Sequence, residues 1–150
     1  MCEFHSATIV HAFTAAWEYQ CCGTPVSVGD ELTLRHVAWD EGLPGNDAYR
    51  RVQHLDWYVG HHVTSEEEGA AEDLVRVLAL WEAHSDLDFR AGDDGYYAAA
   101  RDSGRLVPIT TMVPFDATWA GDGPPTPPAR HTPREPQGWI MKLEVLRRDG

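Results

Sequence analysis

Alternation of apolar and polar residues over short runs is the feature that most restricts what this chain can fold into. In one run, Leu32 and Leu34 alternate with Thr33 and Arg35. The run from Trp139 to Leu146 alternates in the same way near the other end of the chain. Because successive side chains of a strand point to opposite faces of a sheet, both runs predict half-buried β-strands.

Other runs rich in β-branched and aromatic residues, separated by turn formers, predict further strands. The predicted strands lie at Ala7–Phe13, Trp17–Gln20, Leu32–Trp39, Gly104–Met112 and Trp139–Leu146. The run Val52–Val59 fits either a strand or a short helix. Asp40–Asp47 and Asp86–Gly95 are rich in acids and turn formers and are predicted loops.

The segment from Ser65 to His84 has two interpretations. Ser65 with Glu68 matches a capping box, and acids suit a helix N-terminus. The apolar run that follows suits a strand buried on both faces. We therefore predict a short acidic helix or turn to about Glu72 and a strand to about Glu82.

Five or six strands at this spacing indicate a mainly β chain, folded as a small, mostly antiparallel β-barrel of SH3-like or OB-like type with one or two short helices. The length of 150 residues suits one domain, residues 1–150. Residues 121–136 contain six prolines and predict a Pro-rich surface loop. The chain shows neither a signal-like segment nor an apolar run of ~20 residues, so we expect a soluble, cytoplasmic protein.

The charge is strongly acidic, with 24 Asp and Glu against 12 Lys and Arg and a formal charge of -12. Phosphate backbones would be repelled, so nucleic acid is an unfavourable partner. The excess of acid favours solubility or a basic protein partner. A nucleic-acid-mimicking inhibitor is a further hypothesis.

The segment Trp17–Asp30 carries a Trp followed by Cys21-Cys22-Gly23-Thr24-Pro25 and then Val28-Gly29-Asp30. This order resembles the N-terminal signature of a family of small uncharacterised bacterial proteins, in which a Trp strand leads to Cys-Cys-Gly-x-Pro and Val-Gly-Asp. The resemblance implies a β-rich fold. It implies no activity.

Thiolates and imidazoles are the ligands that zinc prefers, and a tetrahedral site takes three or four of them from different segments. The candidate ligands are Cys21, Cys22, His61 and His62, with His36 and His54 as alternatives. A neighbouring histidine would also favour the thiolate of Cys21 or Cys22 as a nucleophile or redox group. Structural thiols and hydrogen-bonded histidines are the competing interpretation, so no cofactor is certain, and zinc is the candidate for this site.

Aromatic residues supply a second candidate site. Trp57, Tyr58 and His54 lie close together in sequence and beside the paired histidines, and barrel mouths lined by such residues bind small molecules or peptides. The same aromatics also pack ordinary cores.

The acids Asp86, Asp88, Asp93 and Asp94 suggest calcium, but their order does not match an EF-hand, and we interpret them as a solvated loop. The chain lacks phosphate-binding glycine motifs and a nucleophile elbow. The sequence therefore predicts a non-catalytic binding module that engages a protein partner through its acidic surface. A small metal- or thiol-dependent enzyme is the alternative.

Overall fold

The computed structural model describes residues 8–15, 24–40, 46–60, 69–90, 96–113, 130–131 and 135–149. Within these ranges the chain forms eleven β-strands and one single-turn helix, α1 (Asn46–Tyr49). The strands are β1 (Thr8–Ala15), β2 (Val26–Ser27), β3 (Glu31–Ala38), β4 (Trp57–Val59), β5 (Ala71–His84), β6 (Leu87–Arg90), β7 (Tyr96–Ala99), β8 (Arg105–Ile109), β9 (Thr111–Met112), β10 (Arg130–His131) and β11 (Gly138–Asp149).

Five of these strands close a small mixed barrel in the order β11-β1-β4-β3-β5, with β5 pairing back onto β11. Four of the five pairings are antiparallel, and β1 with β4 is parallel. The mainly β, mostly antiparallel small barrel predicted from the sequence is confirmed. Strands β6, β7 and β10 form a separate sheet, and β2 pairs with β9.

The two longest strands, β5 and β11, run antiparallel along most of their length. The register between them shifts at Lys142/Leu143 and again between Val145 and Arg147. Such irregularities add local twist, which a sheet needs in order to curl into a barrel. The C-terminal half of β5 also pairs with β8, so β8 is an edge strand outside the barrel.

The barrel interior is apolar, because every barrel strand directs alternate side chains into one cluster. β5 contributes Val75, Val77 and Leu80, while β11 contributes Trp139 and Met141 among others. The remaining strands add the residues Val10, Ala12, Leu32, Leu34 and Val59, and the short β2–β9 pair adds Val26 and Met112.

A second apolar cluster covers the outer face of the barrel wall. Phe13 and Tyr58, which alternate with inward-pointing neighbours, contact each other there, and Phe13 also packs against Tyr49 of α1. Tyr49 and Ala48 are fully buried. The single turn of α1 is thus held by packing rather than by helix propensity.

Several local predictions need correction. Ala71 and Glu72 lie in β5 and not in a helix, whereas the predicted strand to about Glu82 is confirmed. Leu87–Arg90 is a strand inside the range predicted as an acidic loop, and α1 overlaps the loop predicted at Asp40–Asp47. Within the predicted Pro-rich loop 121–136, Arg130–His131 pair with β6; residues 121–129 and 132–134 lie outside the described residues.

The run Val52–Val59, which fitted a strand or a helix, contains the short strand β4. The strand predicted at Trp17–Gln20 lies outside the described residues. Among the helices that the structure describes, none is long and apolar enough to cross a membrane.

Candidate functional site

The barrel wall opens between β3 and β4, because β4 is much shorter than its neighbour. β4 pairs with β3 only at His36–Ala38, whereas β3 continues from Arg35 back to Glu31 with β5 as its partner. A cleft of about 430 Å³ lies along this stretch. We call it the β3-edge groove.

Four consecutive residues of β3, Leu32, Thr33, Leu34 and Arg35, line the groove together. Successive side chains of a strand point to opposite faces, so a cleft that touches all four must run along the edge of the strand, beside its backbone. In the part of the chain that the structure describes, no strand pairs with the β4-side edge of Glu31–Leu34. The groove therefore exposes an edge of the sheet.

The direction of the backbone groups can be worked out from two hydrogen bonds. The Trp39 N–H donates to the Asp56 carbonyl at 2.8 Å, and the Val77 N–H donates to the Asp30 carbonyl at 2.9 Å. Peptide groups alternate along an antiparallel strand. The backbone N–H and C=O groups of the odd-numbered β3 residues thus point toward the β4 side, and those of the even-numbered residues point toward β5. The N–H and C=O of Thr33 therefore face the groove.

The groove has an apolar floor that reaches the barrel core. The core residues in its lining are Val26, Leu32, Leu34, Val59, Met112 and Met141. Thr14, Thr24 and Thr33 are among the other lining residues. An apolar surface with a few polar groups is typical of sites that bind ligands or peptide side chains.

One ion pair sits at the rim of the groove. Arg35 donates from its Nε to Glu72 Oε1 at 3.0 Å across the β3–β5 pair, and both side chains are partly exposed. Glu72 is the one carboxylate in the described lining. Its charge is balanced by Arg35, which leaves the rim near neutral.

Beneath the groove lies a buried polar pair. His36 and Asp73 are 6% and 5% exposed, and His36 Nε2 lies 2.7 Å from Asp73 Oδ2. The Trp57 ring stacks on the imidazole with ring centroids 3.5 Å apart and planes 7° apart. His36 is the cross-strand neighbour of Val59, a groove residue. The pair and the stacked indole hold β3, β4 and β5 together at the place where the wall opens.

The structure separates the three predicted ligand-binding residues. Trp57 faces the barrel interior, and Tyr58 packs on the outer face against Phe13. His54 is 86% exposed and lies 3.2 Å from Asp56 Oδ1. They do not line the β3-edge groove among its described residues, and their role in ligand binding stays a prediction.

The exposed His54 and the partly buried Asp56 belong to a small polar cluster that includes His11. Asp56 Oδ2 accepts a hydrogen bond from the His11 backbone N–H at 2.9 Å. Burial lowers the pKa of His11 below its ordinary value of 6.5, and the positive charges of Lys142 and His54 lower it further, whereas Asp56 acts in the opposite direction. The neutral imidazole is therefore favoured in the folded protein.

Cys21, Cys22, His61 and His62 lie outside the described residues, so the predicted metal site stays a prediction. The structure does place the chain next to them: Thr24, two residues after Cys22, and Gly60, one residue before His61, both line the β3-edge groove. Among the described residues, no group of three or more His, Cys, Asp or Glu side chains could hold a metal ion. Asp86 instead accepts a hydrogen bond from Arg105 at 3.2 Å, and Asp93 and Asp94 are outside the described residues.

The negative charge is unevenly distributed along the chain. The described residues contain 14 acids and 11 Lys and Arg, whereas the remaining segments contain 10 acids and one cation, Arg134. Many described carboxylates are bonded to arginines, as in the contacts of Arg76 with Glu31 and Glu144. Of the formal charge of -12, the described residues thus carry -3 and the remaining segments carry -9.

Two of those acidic segments begin or end at the groove. Segment 16–23 precedes Thr24 and carries Glu18, and segment 61–68 follows Gly60 and carries Glu66, Glu67 and Glu68. Neither contains Lys or Arg. Sequence reasoning missed the groove itself, because the signal for it is the short length of β4 relative to β3, which depends on strand pairing.

Comparison with known proteins finds one family whose model spans most of the chain. The model of a family of unknown function, DUF6578, matches residues 8–145. A mouse protein (Mus musculus) described as Beta-galactosidase-1-like protein is 34% identical over 74 residues, which are 49% of this chain and 12% of that protein. The chain thus matches only a small part of that relative. None of the solved structures matches the chain.

Proposed function

The chain belongs to the DUF6578 family of unknown function, and on that premise we propose that it is a non-catalytic binding module for a basic protein partner. The observation that carries the proposal is the β3-edge groove, an apolar opening in the barrel wall whose ends lead into acidic segments. An apolar floor supplies burial, and surrounding negative charge selects cationic partners and accelerates their association.

A hydrolase function has less support. The name of the mouse relative refers to β-galactosidase, and glycosidases use two carboxyl groups roughly 5–9.5 Å apart. The described lining of the groove offers Glu72 alone, and that carboxylate is bonded to Arg35. The nucleic-acid mimic is also less favoured, because the described carboxylates are interleaved with arginines rather than aligned.

The test uses three fluorescent peptides with one apolar core, Val-Thr-Ile-Thr-Val, flanked on both sides by two Lys, two Ser or two Glu. We expect affinity in the order Lys, Ser, Glu by fluorescence anisotropy, with the difference shrinking between about 20 mM and about 500 mM salt as charges are screened. Equal affinity for the Lys and Glu peptides, or binding of none of them, would contradict the proposal.

A matched pair of variants locates the charge that matters. Replacing Glu66 and Glu67 with Gln should weaken binding of the Lys peptide, because that segment follows the groove residue Gly60. Replacing Asp93 and Asp94 with Asn removes the same charge and is the control, since that segment follows β6 and precedes β7, which belong to a separate sheet. Equal losses in both variants would mean that net charge, and not the groove, selects the peptide.

A second candidate is a zinc or thiol site at the same groove, and one observation favours it. Thr24 and Gly60 line one cleft, and a residue adds at most ~3.6 Å of chain, so connectivity lets Cys22 and His61 approach each other. Thiolate with imidazole suits zinc.

Elemental analysis tests the metal candidate. We expect about one zinc per chain in protein purified without chelator, reduced in Cys22→Ser and in His61→Asn and retained in Cys2→Ser. A zinc content far below one per chain in the unmodified protein would remove this candidate. For a thiol-dependent activity, a Cys22→Ala variant with unchanged turnover would remove the thiol version.

A further inference from the structure

We propose that the basic partner binds as an added β-strand along the β4-side edge of β3 at Leu32–Leu34, which no strand of the described residues covers. This inference rests on the proposed function and specifies how the groove recognises its partner. Strand addition to an exposed sheet edge derives affinity from main-chain hydrogen bonds and specificity from pockets for alternate side chains. Both requirements have counterparts in the β3-edge groove.

The main-chain requirement is met at Thr33. Its N–H and C=O point away from β5, as the two hydrogen bonds of Trp39 and Asp30 indicate. They face the side where β4 would lie if it extended past Val59. The Thr33 side chain is exposed, so an incoming backbone can approach the strand there.

The side-chain requirement is met by the two faces of β3. An added strand continues the alternation of its neighbour, so every second residue of the partner faces the side of Leu32 and Leu34, which opens onto the barrel core. The residues between them face the side of Thr33 and Arg35. The partner segment is therefore extended, with apolar residues at alternate positions.

Charge identifies the occupant as a basic segment of another protein. The segments that adjoin Thr24 and Gly60 carry four acids and no Lys or Arg. Cations on both sides of a short apolar core would complement them. A second copy of this chain, with a formal charge of -12, would be repelled by the same acids.

The experiment uses the Lys-flanked peptide of the previous subsection and two changes that act on the backbone. Thr33→Pro removes the groove-facing N–H and leaves the ladder to β5 intact, because proline is tolerated at an edge whose N–H points outward. Thr33→Val is the matched control, since it keeps the N–H and the shape of the side chain. We expect about tenfold or greater weakening for Thr33→Pro and less than about threefold for Thr33→Val.

The second change is in the peptide and needs no variant protein. N-methylation at alternate residues removes the donors on one edge of an extended segment. One of the two alternating patterns should abolish binding, and the other, which methylates the solvent edge, should leave it within about threefold. Circular dichroism of Thr33→Pro checks that the barrel is intact.

The outcomes separate this inference from the proposed function. If the Lys peptide binds and neither Thr33→Pro nor either methylation pattern weakens it, strand addition is overturned while the binding module stands. If no Lys peptide binds, the proposed function itself is overturned.

Discussion

The buried pair His36–Asp73 predicts that two single substitutions are each far more damaging than their combination. His36→Leu leaves the Asp73 carboxylate without its imidazole partner in a site that is 5% exposed. Asp73→Val leaves the His36 ring without its carboxylate. Removing one partner of a buried pair costs about 3–5 kcal/mol, a large share of the ~5–15 kcal/mol that stabilises a domain.

The combination His36→Leu with Asp73→Val should recover most of that loss. It removes both polar groups together, and apolar side chains of similar volume are accepted in a core that already contains Leu34 and Val75. The stacking of Trp57 on the imidazole is lost, which costs about 0.5–1.5 kcal/mol. We therefore expect the double variant to lie within about 1.5 kcal/mol of the original protein.

Urea denaturation followed by Trp fluorescence measures the three free energies of unfolding. Glu72→Ala is the matched control, because Glu72 is next to Asp73 on β5 and also pairs with a β3 residue. Its contact with Arg35 is partly exposed, so its loss should cost only about 0–1 kcal/mol. The reasoning is refuted if the double variant is as unstable as the sum of the singles. It is refuted equally if Asp73→Val costs no more than Glu72→Ala.

Three further predictions concern packing and pH. Gly104→Ala should lower the free energy of unfolding by about 2–3 kcal/mol in urea titrations, because its Cβ would lie 2.5 Å from the Ala48 carbonyl oxygen. Gly69→Ala, with φ +80° and open space around it, should cost about 1 kcal/mol, and equal losses in the two variants would contradict the clash. Burial raises the pKa of the Tyr49 phenol above 10, so the unfolded chain releases this proton at lower pH than the folded protein, and stability falls above about pH 10. Tyr49→Phe should make the melting temperature fall less steeply with pH in that range. An unchanged slope would contradict this prediction. The lowered pKa of His11 means that the unfolded chain binds more protons than the folded protein just below pH 6.5. The free energy of unfolding should therefore decrease on acidification from about pH 7 to about pH 5, and His11→Gln should make that decrease smaller.

Local alternation was sufficient to predict the strands with one buried face. β3 and β11 alternate over several residues, and both lie where the sequence indicates them. β6 was missed because Asp86 and Asp88 suggested a loop, although Leu87 and Phe89 alternate with polar residues. Turn-forming composition was given more weight than a short alternating pattern, and pairing with β7 and β10 stabilises the strand.

Features that depend on pairing between distant segments could not be predicted. The parallel contact of β1 with β4 and the register shifts between β5 and β11 have no local sequence signal. His36 and Asp73 are 37 residues apart, and only the register of β3 on β5 brings them together. His36 was considered as a metal ligand from its residue type, yet its contacts are a carboxylate and an indole.

An open strand edge is a hazard as well as a binding surface, because it can pair with the same edge of another copy. Proteins protect such edges with charge, and here the segments that adjoin the β3-edge groove carry acids without compensating cations. In the proposed function, the same charge that opposes self-pairing is what attracts a basic segment. The proposal thus combines two features: the shortness of β4, which leaves the edge at Thr33 uncovered among the described residues, and the acids of the neighbouring segments, which would admit a basic chain there.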